Sequence, residues 1–104
     1  MVQEPQILVE RVQTGVRMEK RLLKVLKALA EYLDMSLGDL LEGVVLHAFD
    51  GKTPFGSESL ERIRDLKKIY ALDLDSSASH RLTEIKGHTA GKHVLPGKLS
   101  KKKK

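Results

Sequence analysis

A chain of 104 residues is the size of a single domain. It has no cysteine, so it has neither a disulfide framework nor a thiolate metal site, and no apolar run approaches the roughly eighteen residues that cross a bilayer. The formal net charge of +5 points to an anionic partner without naming it.

Residues 1–10, "MVQEPQILVE", read as a loose arm. They carry neither a basic segment nor an apolar signal core, so no secretory signal is expected. Residues 12–18, "VQTGVRM", alternate. Val12, Thr14, Val16 and Met18 fall on one parity, and Gln13, Gly15 and Arg17 on the other. A strand has a side-chain period of two, so this stretch predicts a short strand with one apolar and one polar face. "ILVERV" at 7–12 extends the pattern toward the N-terminus.

A first helix is predicted over 19–33. Leu22, Leu26, Leu29 and Leu33 form its apolar stripe, widened by Leu23, Val25 and Ala30. Lys20, Lys24, Lys27 and Glu31 lie opposite, and Glu19 complements the helix dipole. "DMS" at 34–36 breaks the pattern. Ser36 with Asp39 three residues on reads as a capping box. Leu37, Leu40, Leu41, Val44, Val45 and Ala48 then define a second helix, which "DGKTPFG" ends. Leu60, Ile63, Leu66 and Tyr70 mark a third amphipathic helix over 59–72, with Ser57 or Ser59 as its cap. From Ser76 only seven of 29 residues are apolar, a composition that predicts disorder. The organisation read from the chain is an arm (1–10), a strand-helix-helix domain (11–52), an added helix (57–75) and a basic tail (76–104).

Charge is blocked along the chain: net +5 over 11–27, −4 over 34–50 and +7 over 81–104. Residues 12–50 hold 21 apolar residues in 39, more than one strand and one helical hairpin can cover. A lone strand also leaves both backbone edges unpaired. A twofold dimer resolves both problems, with the two copies of the strand paired antiparallel and Val16 and Met18 facing the shared core. Gln13, Gly15 and Arg17 then face outward on a two-stranded ribbon of a size that fits the DNA major groove. Arg can pair with guanine and Gln with adenine. Gly38 in the first turn of the second helix would let a phosphate approach its free N–H groups.

The segment "VQTGVRMEKRLLKVLKALAEYLDMSLGDLLEGVVLHAF" resembles the ribbon-helix-helix repressors of the Arc/MetJ/CopG type. The resemblance covers 12–49. It implies a mostly α fold: one short strand and two helices per chain, intertwined as a homodimer, here with a third helix and a tail outside the resemblance. It implies a sequence-specific DNA-binding regulator, acting as a repressor, cytoplasmic and nucleoid-associated. Base-reading positions fall on Gln13, Gly15 and Arg17, and phosphate contacts on Lys20, Ser36, Leu37 and Gly38. Dimer-core positions fall on Val16, Met18, Leu22, Leu26, Leu29, Ala30, Leu41, Val45 and Phe49. Gly15 departs from the polar residue usual at the middle position, which leaves readout to Gln13 and Arg17.

Other readings stay open on the sequence. "VQTGVRM" is also compatible with an ordinary edge strand or linker. "ALAEYLDMSLGDLLEGV" also reads as a helix-turn-helix whose exposed Gly38, Asp39, Glu42 and His47 would face bases, although its acidic residues would be repelled by phosphate. A plain helical interaction module, an antitoxin-type protein binding a partner through 57–104, and a non-specific architectural DNA-binding protein are further alternatives. The terminal lysines 101–104 read as a solvated end or as non-specific phosphate contacts. His80, His88 and His93 match no metal-ligand spacing, and no phosphate loop or nucleophile motif is present. No metal, cofactor, membrane contact or enzymatic activity is expected.

Overall fold

The computed structural model describes residues 5–85. The chain divides into two units, Met1–Asp73 and Leu74–Lys104. The first unit is helical: α1 (Lys20–Tyr32), α2 (Leu37–Phe49) and α3 (Ser57–Ile69).

α1 starts where the apolar stripe starts. Glu19 is its N-cap, and the Glu19 carboxylate accepts a hydrogen bond from Leu22 N–H at 2.8 Å. This satisfies one of the N–H groups that a helix start leaves over. α2 is capped by Ser36, whose Oγ accepts from Asp39 N–H at 3.1 Å. α3 begins after Gly56 with no side-chain cap. Ser57 is its first helical residue and Ser59 lies inside it, so neither serine caps the helix as the sequence suggests.

All three helices end in the same way. The residue after each C-cap takes a left-handed backbone: Asp34 (φ 61°), Gly51 (φ 72°) and Ala71 (φ 55°). Two N–H groups then fold back on the last turn. They run from Asp34 to Glu31 O and Met35 to Ala30 O, from Gly51 to Ala48 O and Lys52 to His47 O, and from Ala71 to Lys68 O and Leu72 to Lys67 O. These are Schellman motifs, for which glycine is the usual residue. Only Gly51 meets that preference, so the end at Ala71 carries little signal in the sequence. Leu72 follows the helix rather than lying in it, and it is buried.

The core is built on one face of α1. Leu29, Ala30 and Leu40 are buried together, with Leu26, Leu33, Val44, Phe55, Ile63 and Leu66 packed against them. α3 is thus docked on its own chain. Its ends are tied to α1 by polar contacts as well. Tyr32 Oη donates to Glu58 at 3.4 Å, and Arg62 lies over the Tyr32 ring at 5.5 Å. At the other end, Lys24 Nζ sits 6.0 Å from the Tyr70 ring.

Residues 5–19 carry no regular secondary structure, so the expected strand at 12–18 is not formed within this chain. The physical reason is the one the sequence raises: a ladder needs a second strand, and the described residues contain none. In the second unit, a short 3-10 turn spans Ser76–Ala78. Asp75 Oδ1 accepts from Ser77 N–H and Oγ–H at 3.0 and 2.6 Å. Residues 86–104 of the expected tail, with His88, His93 and the terminal lysines, lie outside the described residues.

Candidate nucleic-acid interface

Segment 12–18 is exposed along nearly its whole length. Gln13, Gly15 and Arg17 are exposed, as the polar parity should be. The apolar parity is exposed too: Val12 at 82% and Val16 at 74%, with only Met18 half-buried beside α1. Gly15 has an ordinary backbone, and a Cβ there would meet nothing within 4 Å. Neither strain nor crowding in this chain demands glycine at that position.

The segment is anchored at both ends. Before it, Arg11 reaches α2 and donates to the Glu42 carboxylate through Nε at 2.8 Å and Nη2 at 2.6 Å. This is a two-pronged, charge-assisted pair. The hydrogen bonds from Arg11 hold the Glu42 carboxyl below the usual carboxylate range. After the segment, Arg21 joins the α1 cap to the end of α3. It donates to Glu19 Oε2, to Ala71 O and to Asp73 Oδ1, each at 3.0 Å. Burial pushes the Glu19 carboxyl up, but the hydrogen bonds from Leu22 N–H and Arg21 outweigh it and leave it below its usual range. Both carboxylates are therefore charged at neutral pH, and their contacts are lost only as the pH falls through those lowered values.

These contacts redistribute the basic block. Arg11 and Arg21 are engaged within the chain, whereas Lys20 at the start of α1 and Lys27 are exposed. The acidic face of α2 is engaged as well. Asp39 and Glu42 stand three residues apart on α2, and Arg11 feels the charge of both. A recognition-helix role for α2 would have to displace that arginine and then bring two carboxylates to phosphate.

At the start of α2, Ser36 and Gly38 are exposed and Leu37 is half-buried. A Cβ on Gly38 would meet nothing within 4 Å, so the space above this first turn is open. Asp39 N–H is taken by Ser36, which leaves the N–H groups of Leu37 and Gly38 as the helix-end donors on offer.

The expected dimer-core residues separate into two sets. Leu29 and Ala30 are enclosed by their own chain at 1% and 3% exposure. Burial by α3, which lies outside the ribbon-helix-helix pattern, accounts for this difference. Val16, Leu22, Val45 and Phe49 are exposed, and Met18, Leu26 and Leu41 are half-buried. Phe49, the last residue of α2, is 81% exposed.

The contacts made by Arg11, Arg21 and Glu42 follow from no local motif in the sequence. The only available signal was the facing of a +5 block at 11–27 by a −4 block at 34–50. Among the described residues no group of three or more His, Cys, Asp or Glu is placed to hold a metal. No helix among them is long and apolar enough to cross a membrane. No family model matches the chain, and comparison with curated proteins and with solved structures finds no match.

Proposed function

We propose that this chain is a sequence-specific DNA-binding regulator, a repressor, that acts as a homodimer of the ribbon-helix-helix kind. The observation that carries the reading is the exposed apolar parity of segment 12–18, with Val12 and Val16 standing in solvent. Isolated surface apolar residues are unremarkable, but an alternating run without a cover asks for one. The same segment of a second copy supplies it, and closes the open backbone edges at the same time. Leu22, Val45 and Phe49 form the rest of the shared core in this reading, on the helix surface that α3 leaves uncovered.

The paired strands enter the major groove with Gln13 and Arg17 from each chain toward base edges. Lys20 and the Leu37 and Gly38 N–H groups hold the flanking phosphates, and the terminal lysines add sequence-independent attraction. Gly15 leaves a gap in the middle of the reading face.

A titration against a DNA fragment selected from a random pool and against the unselected pool, at two salt concentrations, tests this. A regulator binds the selected fragment more tightly, by about a thousandfold or more at physiological salt. Equal affinity for both, falling steeply with salt, would mean an architectural protein instead.

A further inference from the structure

We propose that Arg11 and Glu42 are positioning residues that preset segment 12–18 for its use as a ribbon. The inference rests on the DNA-reading role above, but its structural part stands alone.

Segment 12–18 makes no backbone ladder in the chain, so nothing regular orders it. Its C-terminal side is fixed because Glu19 caps α1 and Arg21 braces Glu19. Among the described residues, its N-terminal side is held by the Arg11 fork on Glu42, which joins positions 31 residues apart. Residues 7–9, on the far side of that fork, are exposed and in no regular structure. Without the fork the N-terminal side of the segment would lose its hold on α2. With it, the segment runs between two fixed points, one on α2 and one on α1.

An exposed ion pair adds little to global stability. Its effect here is local. A segment already held near its paired conformation loses less freedom when a second strand and a DNA groove receive it, which strengthens binding without any new contact. The fork also has a sign that ordinary electrostatics does not share. If Arg11 and Glu42 acted only as charges near DNA, Glu42→Gln would strengthen binding by removing a negative charge. As a fork, Glu42→Gln weakens binding, and so does Arg11→Gln.

The test uses the full chain with three variants: Glu42→Gln, Arg11→Gln, and the exchange Arg11→Glu with Glu42→Arg. The first readout is the backbone 15N order parameter of residues 12–18 without DNA. In both single variants it is expected to fall from near that of the helices to below about 0.6, the flexible range. The exchange restores it. The second readout is affinity for selected DNA, with a loss of about threefold in Glu42→Gln, within the range an exposed pair supports. Unchanged order parameters in Glu42→Gln, or tighter DNA binding by it, overturn the proposal. If the order parameters fall as expected but the wild-type chain does not discriminate between DNA sequences, the fork stands and the reading role fails.

Discussion

Arg17→Ala is expected to cost about 1–3 kcal/mol of affinity for the selected DNA site for each lost bidentate pair, and much less on random DNA. Arg17 is an exposed residue on the polar parity of segment 12–18, next to the half-buried Met18. Its neighbour on that parity is Gly15, which offers no side chain, so in the proposed reading Gln13 and Arg17 carry the base contacts between them. A guanidinium can give two parallel hydrogen bonds to guanine O6 and N7, and removing it leaves those acceptors with water. A phosphate-binding role predicts a different pattern, in which affinity falls equally on every sequence and the salt dependence flattens. The two are separated by running selected and random DNA side by side. The helical content of the variant should match the wild type, since no core residue is touched.

The second large effect is a contrast between two apolar residues. Leu29→Ala should destabilise the folded chain by about 2–5 kcal/mol, because it empties space at the centre of the core. Leu29 is 1% exposed and is enclosed by α1, α2 and α3 of the same chain. Against a typical total of about 5–15 kcal/mol for a small domain, that loss is severe. Phe49→Ala should leave the chain's own core intact, because the ring is largely in solvent there. Its cost appears on association. Burying a Phe is worth about 1.5–3 kcal/mol, and a twofold interface counts the residue twice. The dimer dissociation constant should rise by about a hundredfold or more, in line with 1.4 kcal/mol per factor of ten. Sedimentation across a concentration series measures this, and thermal unfolding at fixed concentration measures the Leu29 variant. A Phe49→Ala chain that associates as tightly as the wild type would remove this residue from the interface.

The starts of α1 and α2 were the most legible features. Glu19 and Ser36 stand at the beginnings of α1 and α2 as the apolar periodicity and the Ser-x-x-Asp spacing require. α3 was placed two to three residues late, at 59–72 against Ser57–Ile69. Gly56 contributes no side-chain cap to announce its start. At its end, Ala71 turns left-handed, while Tyr70 and Leu72 prolong the apolar pattern past the last helical residue. The expected strand at 12–18 rests on the alternation alone, and the described residues show none. Which apolar residues serve the chain's own core was not legible. Leu29 and Leu22 both lie in the α1 stripe, yet Leu29 is enclosed with Ile63 and Leu66 of α3 packed on its cluster, whereas Leu22 is exposed. The Arg11 and Arg21 contacts span 31 and 52 residues, beyond any local spacing rule.

In the proposed dimer, "VQTGVRM" pairs with its own copy. Mixing isotope-labelled and unlabelled chains and recording interchain nuclear Overhauser effects tests it directly. The expected result is a set of interchain contacts among residues 12–18, in the pattern of an antiparallel pair, with Val16 of one chain near apolar side chains of the other. A chain that remains monomeric at millimolar concentration, or a dimer whose interchain contacts leave residues 12–18 out, would contradict it.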